Sequence, residues 1–286
     1  MLADRRAQQI IIYFNNFAEK KRKMKLGAYE LNDIYNVDCL EGMKQLPDNC
    51  IDLVVTSPPY DDLRDYKGYH FPFEDIAKEL YRVMKPSGVV VWVVGDKIVK
   101  GNRSLTSFKQ CLFFQQVGFK VHDVMIYRKK NTPFMRSNAY TNCYEFMFVL
   151  AKDKVITFNP IKTKTARSGD EMLVANKKSD GINKKVKGHL NEEKALTNIW
   201  EYAVGLGGST NDKIAFKHPA IFPEKLAYDH IISWSNEGDI VFDPFSGSGT
   251  TAKMAKMNNR LFLGFEISPE YTEISKERLE QVGGLF

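Results

Sequence analysis

Cysteine is scarce and scattered in this sequence. Cys39, Cys50, Cys111 and Cys143 are the only four in 286 residues, and no two have metal-ligand spacing. Disulfide frameworks belong to short secreted chains, and close cysteine pairs mark zinc sites. Four separated thiols fit neither, so the chain is read as metal-free and cytoplasmic. Long apolar runs are missing as well. Val89 to Val94 is one of the longest, far short of the ~20 residues that span a bilayer. The start, Met1-Leu2-Ala3-Asp4-Arg5-Arg6, has no apolar segment followed by a cleavage site, so no secretory leader and no membrane partner are read. There is no internal repeat. A formal net charge of +6 is only mildly basic and does not by itself choose nucleic acid.

What is present is the composition of an ordinary globular protein, 43% hydrophobic and 27% charged. Four stretches follow one another. Residues 1–30 read as an arm or added helix ending in the basic run Lys20, Lys21, Arg22, Lys23 and Lys25. Residues 31–151 alternate short apolar strands with helical patterns: strands at 34–37, 51–55 and 89–94, a helix at 74–85 stopped by Pro86 and Gly88, a helix at 107–117, then two paired strands at 121–127 and 144–150. Residues 152–215 are polar, rich in Lys, Asn and Gly, and read as an insertion. Residues 216–286 regain order, with a helix at 223–235, a strand at 239–242, a helix from Thr250, a strand at 261–265 and a last helix opened by Ser268 and Pro269. Strand–helix alternation in both halves predicts an α/β fold, one doubly wound and mostly parallel sheet.

Two loops sit at carboxyl ends of strands, where such sheets bind ligands. The first is Asp243-Pro244-Phe245-Ser246-Gly247-Ser248-Gly249, followed by the helix opening at Thr250 and Thr251. Gly247 and Gly249 permit a tight turn and close approach of a ligand to backbone. Glu266 ends the next strand, where a carboxylate can accept two ribose hydroxyls. The third glycine of the dinucleotide fingerprint is absent, and no lysine follows the loop as in a P-loop. A nicotinamide-dependent oxidoreductase is thereby disfavoured, though a nucleoside ligand is not.

The second loop is Thr56-Ser57-Pro58-Pro59-Tyr60. Adjacent prolines end the strand and hold a rigid loop. The exocyclic amine of a nucleobase is a poor nucleophile because its lone pair is delocalised into the ring. Acceptors on its two N–H groups favour a pyramidal nitrogen; the Ser57 side chain and the Pro58 carbonyl can supply them, and Tyr60 can stack on the base. A base in a duplex is reached only by flipping it out.

Together the two loops resemble the catalytic and cofactor motifs of amino-group DNA methyltransferases, in the permuted order of the beta class. Other segments strengthen the resemblance. Asp38-Cys39-Leu40 is similar to the family's adenine-binding segment, and His218-Pro219-Ala220-Ile221-Phe222-Pro223 to the segment that holds the methionine end of the cofactor. Leu80 to Gly88 resembles its helix-to-strand turn, and Asn131-Thr132-Pro133-Phe134 with Glu145 a motif beside the base pocket. The likeness covers roughly 31–150 and 216–286. It implies a Rossmann-like, circularly permuted methyltransferase fold, S-adenosylmethionine as cofactor, and duplex DNA as partner.

Under that resemblance Ser57, Pro58, Pro59 and Tyr60 are catalytic. Asp38, Cys39, His218, Pro219, Phe222, Asp243, Pro244, Phe245, Gly247, Gly249, Thr250, Thr251 and Glu266 hold the cofactor. Serine before Pro-Pro points to cytosine N4, with adenine N6 the alternative and a non-catalytic subunit a further one. The 152–215 region takes the place of target recognition, with Lys162, Lys164, Arg167, Lys177, Lys178, Lys184, Lys185 and Lys187 as phosphate contacts. A cognate restriction endonuclease and a homodimer are the remaining partners the family suggests; the chain's residues choose neither.

Overall fold

Apolar side chains of the central strands divide by alternation between two cores. Val54, Val90, Trp92 and Val94 pack into one; Leu53, Val55, Val89, Val91 and Val93 pack into the other. Strands buried on both faces read as unbroken apolar runs, and here they form the middle of a sheet covered on both sides. The computed structural model describes residues 24–59, 71–131, 137–166, 169–174 and 185–282, with backbone alone at 170–174 and 185–188.

The eight strands of the main sheet are β1 (Asp33–Asn36), β2 (Ile51–Thr56), β3 (Met84–Val94), β4 (Lys120–Lys129), β5 (Tyr144–Ala151), β6 (Ile199–Tyr202), β7 (Ile240–Asp243) and β8 (Leu261–Glu266). Their spatial order is β6-β4-β5-β3-β2-β7-β8-β1. All neighbours are parallel except β5, which runs against β3 and β4. Helices α1 (Cys39–Lys44), α2 (Phe73–Val83) and α3 (Thr106–Val117) cover one face through Met43, Leu80 and Phe114. Helices α4 (Glu224–Trp234), α5 (Thr250–Met257) and α6 (Pro269–Glu280) cover the other through Ile231, Ala255 and Leu279. Each of the larger of these side chains contributes about 1.5–3 kcal/mol by its burial, the Ala255 methyl less. This is the doubly wound, mostly parallel α/β sheet expected from the sequence. Trp92 and Phe242 are core residues with no exposed surface, and Trp92 Nε1 donates to Gln110 Oε1 at 2.8 Å.

Local signals set the helix ends. Asp38 caps α1, its carboxylate accepting from Leu40 N and Glu41 N at 2.9 and 3.2 Å. Ser268 caps α6 with Pro269 in its first turn. Gly118 closes α3 at φ +123°.

Two elements differ from the sequence reading. Helix α2 stops at Val83, and Pro86 and Gly88 lie inside β3 rather than ending the helix. Ile51 pairs with Met84 while Leu53 pairs with Val89, so the intervening residues of β3 form an irregularity in which a proline is tolerated. Second, the polar stretch 152–215 supplies β6 to the main sheet. Its four residues alternate Ile199 and Glu201 outward, Trp200 and Tyr202 inward, too short a pattern to stand out. The same stretch carries two antiparallel pairs, Lys162–Lys164 with Glu193–Ala195 and Gly169–Val174 with Lys185–Leu190. Near the start, Lys25–Leu26 pairs with Tyr29–Glu30; the helix read before them lies outside the described residues. Among the described residues, no helix is long and apolar enough to cross a membrane.

Candidate active site

Strands β2 and β7 are parallel neighbours, Leu53 opposite Val241 and Val54 opposite Phe242. The loops that follow them therefore leave the sheet side by side. Thr56 and Asp243, the last residues of the two strands, join through a hydrogen bond from Thr56 Oγ1 to Asp243 Oδ1 at 2.6 Å. Thr251 Oγ1 donates to the Val55 carbonyl at 3.0 Å, adding a second tie from α5 to β2.

A cavity of about 980 Å³ opens over these strand ends, at the upper end of the ~300–1,000 Å³ range of ligand sites. It brings together Ser57, Pro58 and Pro59 with Asp38, Cys39, His218, Pro219, Phe222, Asp243, Pro244, Phe245, Gly247, Thr250, Thr251 and Glu266. Gly249 does not line it. That residue turns the chain at φ +75° into α5, where a Cβ would stand 2.9 Å from Ser275 Cβ. Tyr60, Arg167, Lys177, Lys178 and Lys184 lie outside the described residues, as do Thr132, Pro133 and Phe134. Lys162 and Lys164 are exposed on their short antiparallel ribbon and do not line the cavity. Lys185 and Lys187 pair by backbone with Val174 and Met172.

Carboxylates organise the glycine loop from below. Glu266 Oε2 accepts from Gly247 N at 2.8 Å and Oε1 from Ser268 N at 2.9 Å. Burial pushes its pKa up, against the pull of those two N–H groups. Asp243 Oδ1 also accepts from Phe245 N at 3.0 Å. Burial raises this carboxyl to about 6, with the Thr56 hydroxyl, the Phe245 N–H and the Thr251 hydroxyl opposing it. Gly247 has φ +51°, and a Cβ on it would meet the His218 ring at 3.1 Å. His218 in turn packs edge-on to Tyr271, centroids 4.3 Å apart, with Nδ1 3.1 Å from the Ala220 N–H and 2.8 Å from its carbonyl.

The side of the cavity beyond Ser57 is lined by Gly95, Asp96, Tyr127, Lys129, Asn131, Asn142 and Glu145. Lys129 Nζ and Glu145 Oε1 pair at 2.5 Å. Burial, with the Glu145 charge added, holds the Tyr127 hydroxyl firmly protonated.

Several residues that shape the site carry no motif. Arg278, with no exposed surface, donates to the Ser248 carbonyl and to Ser248 Oγ and Thr250 Oγ1, the latter two at 3.1 Å. It also binds Asp212 at 2.7 Å and Glu224 at 2.8 Å. Lys253 reaches Glu224 at 2.7 Å. Burial raises the Asp212 pKa, but Arg278, the Ile214 N–H and Lys253 outweigh it, and the net shift is downward. The one available signal was the spacing of Tyr271, Ser275 and Arg278, which puts a polar stripe on one face of α6.

The charge pattern selects among cofactors. Asp38, Asp96, Glu145, Asp243 and Glu266 line the cavity, against Lys129. A pyrophosphate would meet carboxylates here, whereas a cationic nucleoside is attracted. Glu266 spends one acceptance per oxygen on backbone N–H groups, which leaves lone pairs for ribose hydroxyls. The residues present fit S-adenosylmethionine, whose ribose, sulfonium and ammonium match these groups.

Comparison with known proteins agrees. The profile of the N6/N4 DNA methylase family matches residues 51–277. The chain is 54% identical over 246 residues to the orphan methyltransferase M.BamHII of Bacillus amyloliquefaciens, covering 83% of this chain and 92% of that one. It is 30% identical over 262 residues to the type II methyltransferase M.BglII of Bacillus subtilis, covering 87% and 69%. In fold it is similar to the PvuII DNA methyltransferase, described as cytosine-N4-specific, with a TM-score of 0.63 at 22% identity over 86% of this chain and 85% of that one. It is similar also to a DNA modification methylase of Thermus thermophilus in complex with S-adenosylmethionine, with a TM-score of 0.59 at 23% identity over 87% and 93%.

Proposed function

The chain belongs to the N6/N4 family of DNA methylases, an S-adenosylmethionine-dependent family, and within it we propose transfer of the methyl group to the exocyclic N4 of a cytosine flipped out of duplex DNA. One observation carries the reading. The Thr56–Asp243 hydrogen bond places the Ser57-Pro58-Pro59 loop and the glycine loop on one cavity, so an amine held at Ser57 and a methyl donor held over Glu266 share a single chamber.

Each group of residues then has a task. Glu266 accepts the ribose hydroxyls, and Asp38 with Cys39 borders the adenine. The glycine loop, His218, Pro219 and Phe222 enclose the methionine end. When bound, S-adenosylmethionine supplies an electrophilic methyl. The Ser57 side chain and the Pro58 carbonyl accept from the two amine N–H groups and localise the nitrogen lone pair. The nitrogen forms its bond to the methyl carbon as the carbon–sulfur bond breaks and its electron pair stays on sulfur. The amine releases a proton afterwards, so no side chain need act as a strong base. Orientation of amine and methyl donor within one cavity supplies much of the rate. Serine before Pro-Pro favours cytosine over adenine. Lys162 and Lys164 extend the DNA contact along phosphate. By likeness to relatives named as type II and orphan methyltransferases, the chain acts in restriction-modification or alone.

Expression in a host lacking DNA amino-methylation tests the reading through mass spectrometry of genomic nucleosides. N4-methylcytosine is expected. N6-methyladenine in its place would keep the site and replace the base; neither product, with folded protein present, contradicts the enzymatic reading.

A further inference from the structure

Helix α6 turns one face toward the glycine loop, and that face is polar. Tyr271, Ser275 and Arg278 stand at i, i+4 and i+7. Tyr271 meets the His218 ring edge-on at 4.3 Å. Ser275 Oγ donates to the Gly247 carbonyl at 2.7 Å. Arg278 donates to the Ser248 carbonyl and to the hydroxyls of Ser248 and Thr250. Nothing in the chemistry of methyl transfer calls for an arginine behind this loop, yet its guanidinium has no exposed surface.

The other end of the fork explains the arrangement. Arg278 Nε donates to Asp212 Oδ2 at 2.7 Å and Nη2 to Glu224 Oε1 at 2.8 Å. Asp212 caps the short 3₁₀ turn Lys213–Lys217 through Ile214 N. Glu224 opens α4 and also accepts from Thr210 Oγ1 and Lys253. Between these two carboxylates runs the segment 218–223, which lines the cavity and brings the His218 ring close against Gly247 of the glycine loop. One side chain thus ties the glycine loop to the two carboxylates that flank this segment.

We propose that Arg278 is a positioning residue for the cofactor, holding the glycine loop and the His218–Pro223 segment at a fixed separation around the methionine end. The proposal rests on the assignment of this cavity to S-adenosylmethionine. A planar fork is needed because the partners lie in different directions; a lysine offers one compact charge and cannot reach all of them.

The test compares wild type, Arg278→Lys and Asp212→Asn. Asp212→Asn keeps an oxygen for the Ile214 N–H and removes the ion pair. S-adenosylmethionine affinity is measured by calorimetry on the DNA-free protein, with the folded fraction checked by thermal unfolding; KM and kcat are measured separately. Loss of one charge-assisted hydrogen bond's worth of ordering predicts a Kd about tenfold higher in Arg278→Lys and about threefold higher in Asp212→Asn. KM for the cofactor rises in step, while kcat at saturating cofactor and KM for DNA hold. Cofactor affinity equal to wild type, or activity that falls only with the folded fraction, overturns the proposal. If Arg278→Lys does not fold, Asp212→Asn decides by the same criteria. A wild-type protein with no affinity for S-adenosylmethionine overturns the cofactor assignment itself, a result distinct from variants that bind as wild type does.

Discussion

Thr56 Oγ1 donates to Asp243 Oδ1 at 2.6 Å across 187 residues of chain, and both side chains are buried. The bond couples the ends of β2 and β7, and so couples the loop that would hold the amine to the loop that would hold the methyl donor. Thr56→Val preserves shape and removes the donor. Asp243 then keeps the Phe245 N–H on the same oxygen and loses its strongest partner. Hydrogen bonds to charged or buried acidic groups are worth about 1.5–3 kcal/mol, and urea unfolding of the variant should show a loss in that range. A change within about 0.5 kcal/mol, the size of an ordinary surface substitution, would mean the bond does not hold the strands together.

The same carboxyl makes stability depend on pH in an uncommon direction. Burial raises Asp243 to about 6, above the ~3.9 of an unfolded aspartate. The folded state binds this proton more tightly. The stability it contributes is therefore full below pH ~3.9 and is lost as pH rises through 6. His230 acts the opposite way. It is fully buried between Trp200 and Met147, and burial pushes it down to about 3 from ~6.5. Its contribution is full above pH ~6.5 and is lost as pH falls toward 3. Between pH 4 and 6 the two slopes oppose each other. Asp243→Asn removes one of them, so the variant should gain on wild type by about 2 kcal/mol from pH 4 to 7. Urea unfolding of the ligand-free proteins at four pH values in that window measures it; parallel pH profiles would contradict the raised pKa.

Both loops and most strands were legible in the sequence because their signals are local. An apolar run such as Val89 to Val94, ended by Gly95, states its own burial, and Asp38, Ser268 and Gly118 mark helix ends by their chemistry. Contacts between distant residues were not legible. Nothing near Thr56 announces Asp243. Arg278 stands among Glu273, Lys276, Glu277 and Glu280, and there it reads as one more solvated charge; only the folded chain shows it buried under the glycine loop. Gly249 read as a ligand-facing glycine because the loop's spacing suggested it; the fold adds that it turns left-handed into α5 with its backbone close against Ser275. Strand β6 escaped because four residues are too few for a period of two to declare itself.

The exposed ribbon lysines give a prediction about DNA. Lys162 and Lys164 lie on solvent, and Lys162 Nζ stands 3.9 Å from Glu193 Oε2. If they neutralise phosphates, each releases about one counterion on binding. The double variant Lys162→Ala, Lys164→Ala should then lower the slope of log K against log salt by about 1.8. Sequence preference should be unchanged, since phosphate contacts carry none. Binding titrations at several salt concentrations measure the slope; an unchanged slope would place the DNA elsewhere.

The central claim is that Ser57 presents an exocyclic amine to a methyl donor held over Glu266. Its most direct test is to incubate unmethylated DNA with methyl-labelled S-adenosylmethionine and wild type or Ser57→Ala, then identify the labelled nucleoside by mass spectrometry. Wild type should place label in N4-methylcytosine, and Ser57→Ala should do so at a rate about 100-fold lower, the usual effect of losing one preorganised polar partner, with cofactor affinity retained. Full activity in Ser57→Ala, or label on a carbon of the base instead of its amine, would contradict it.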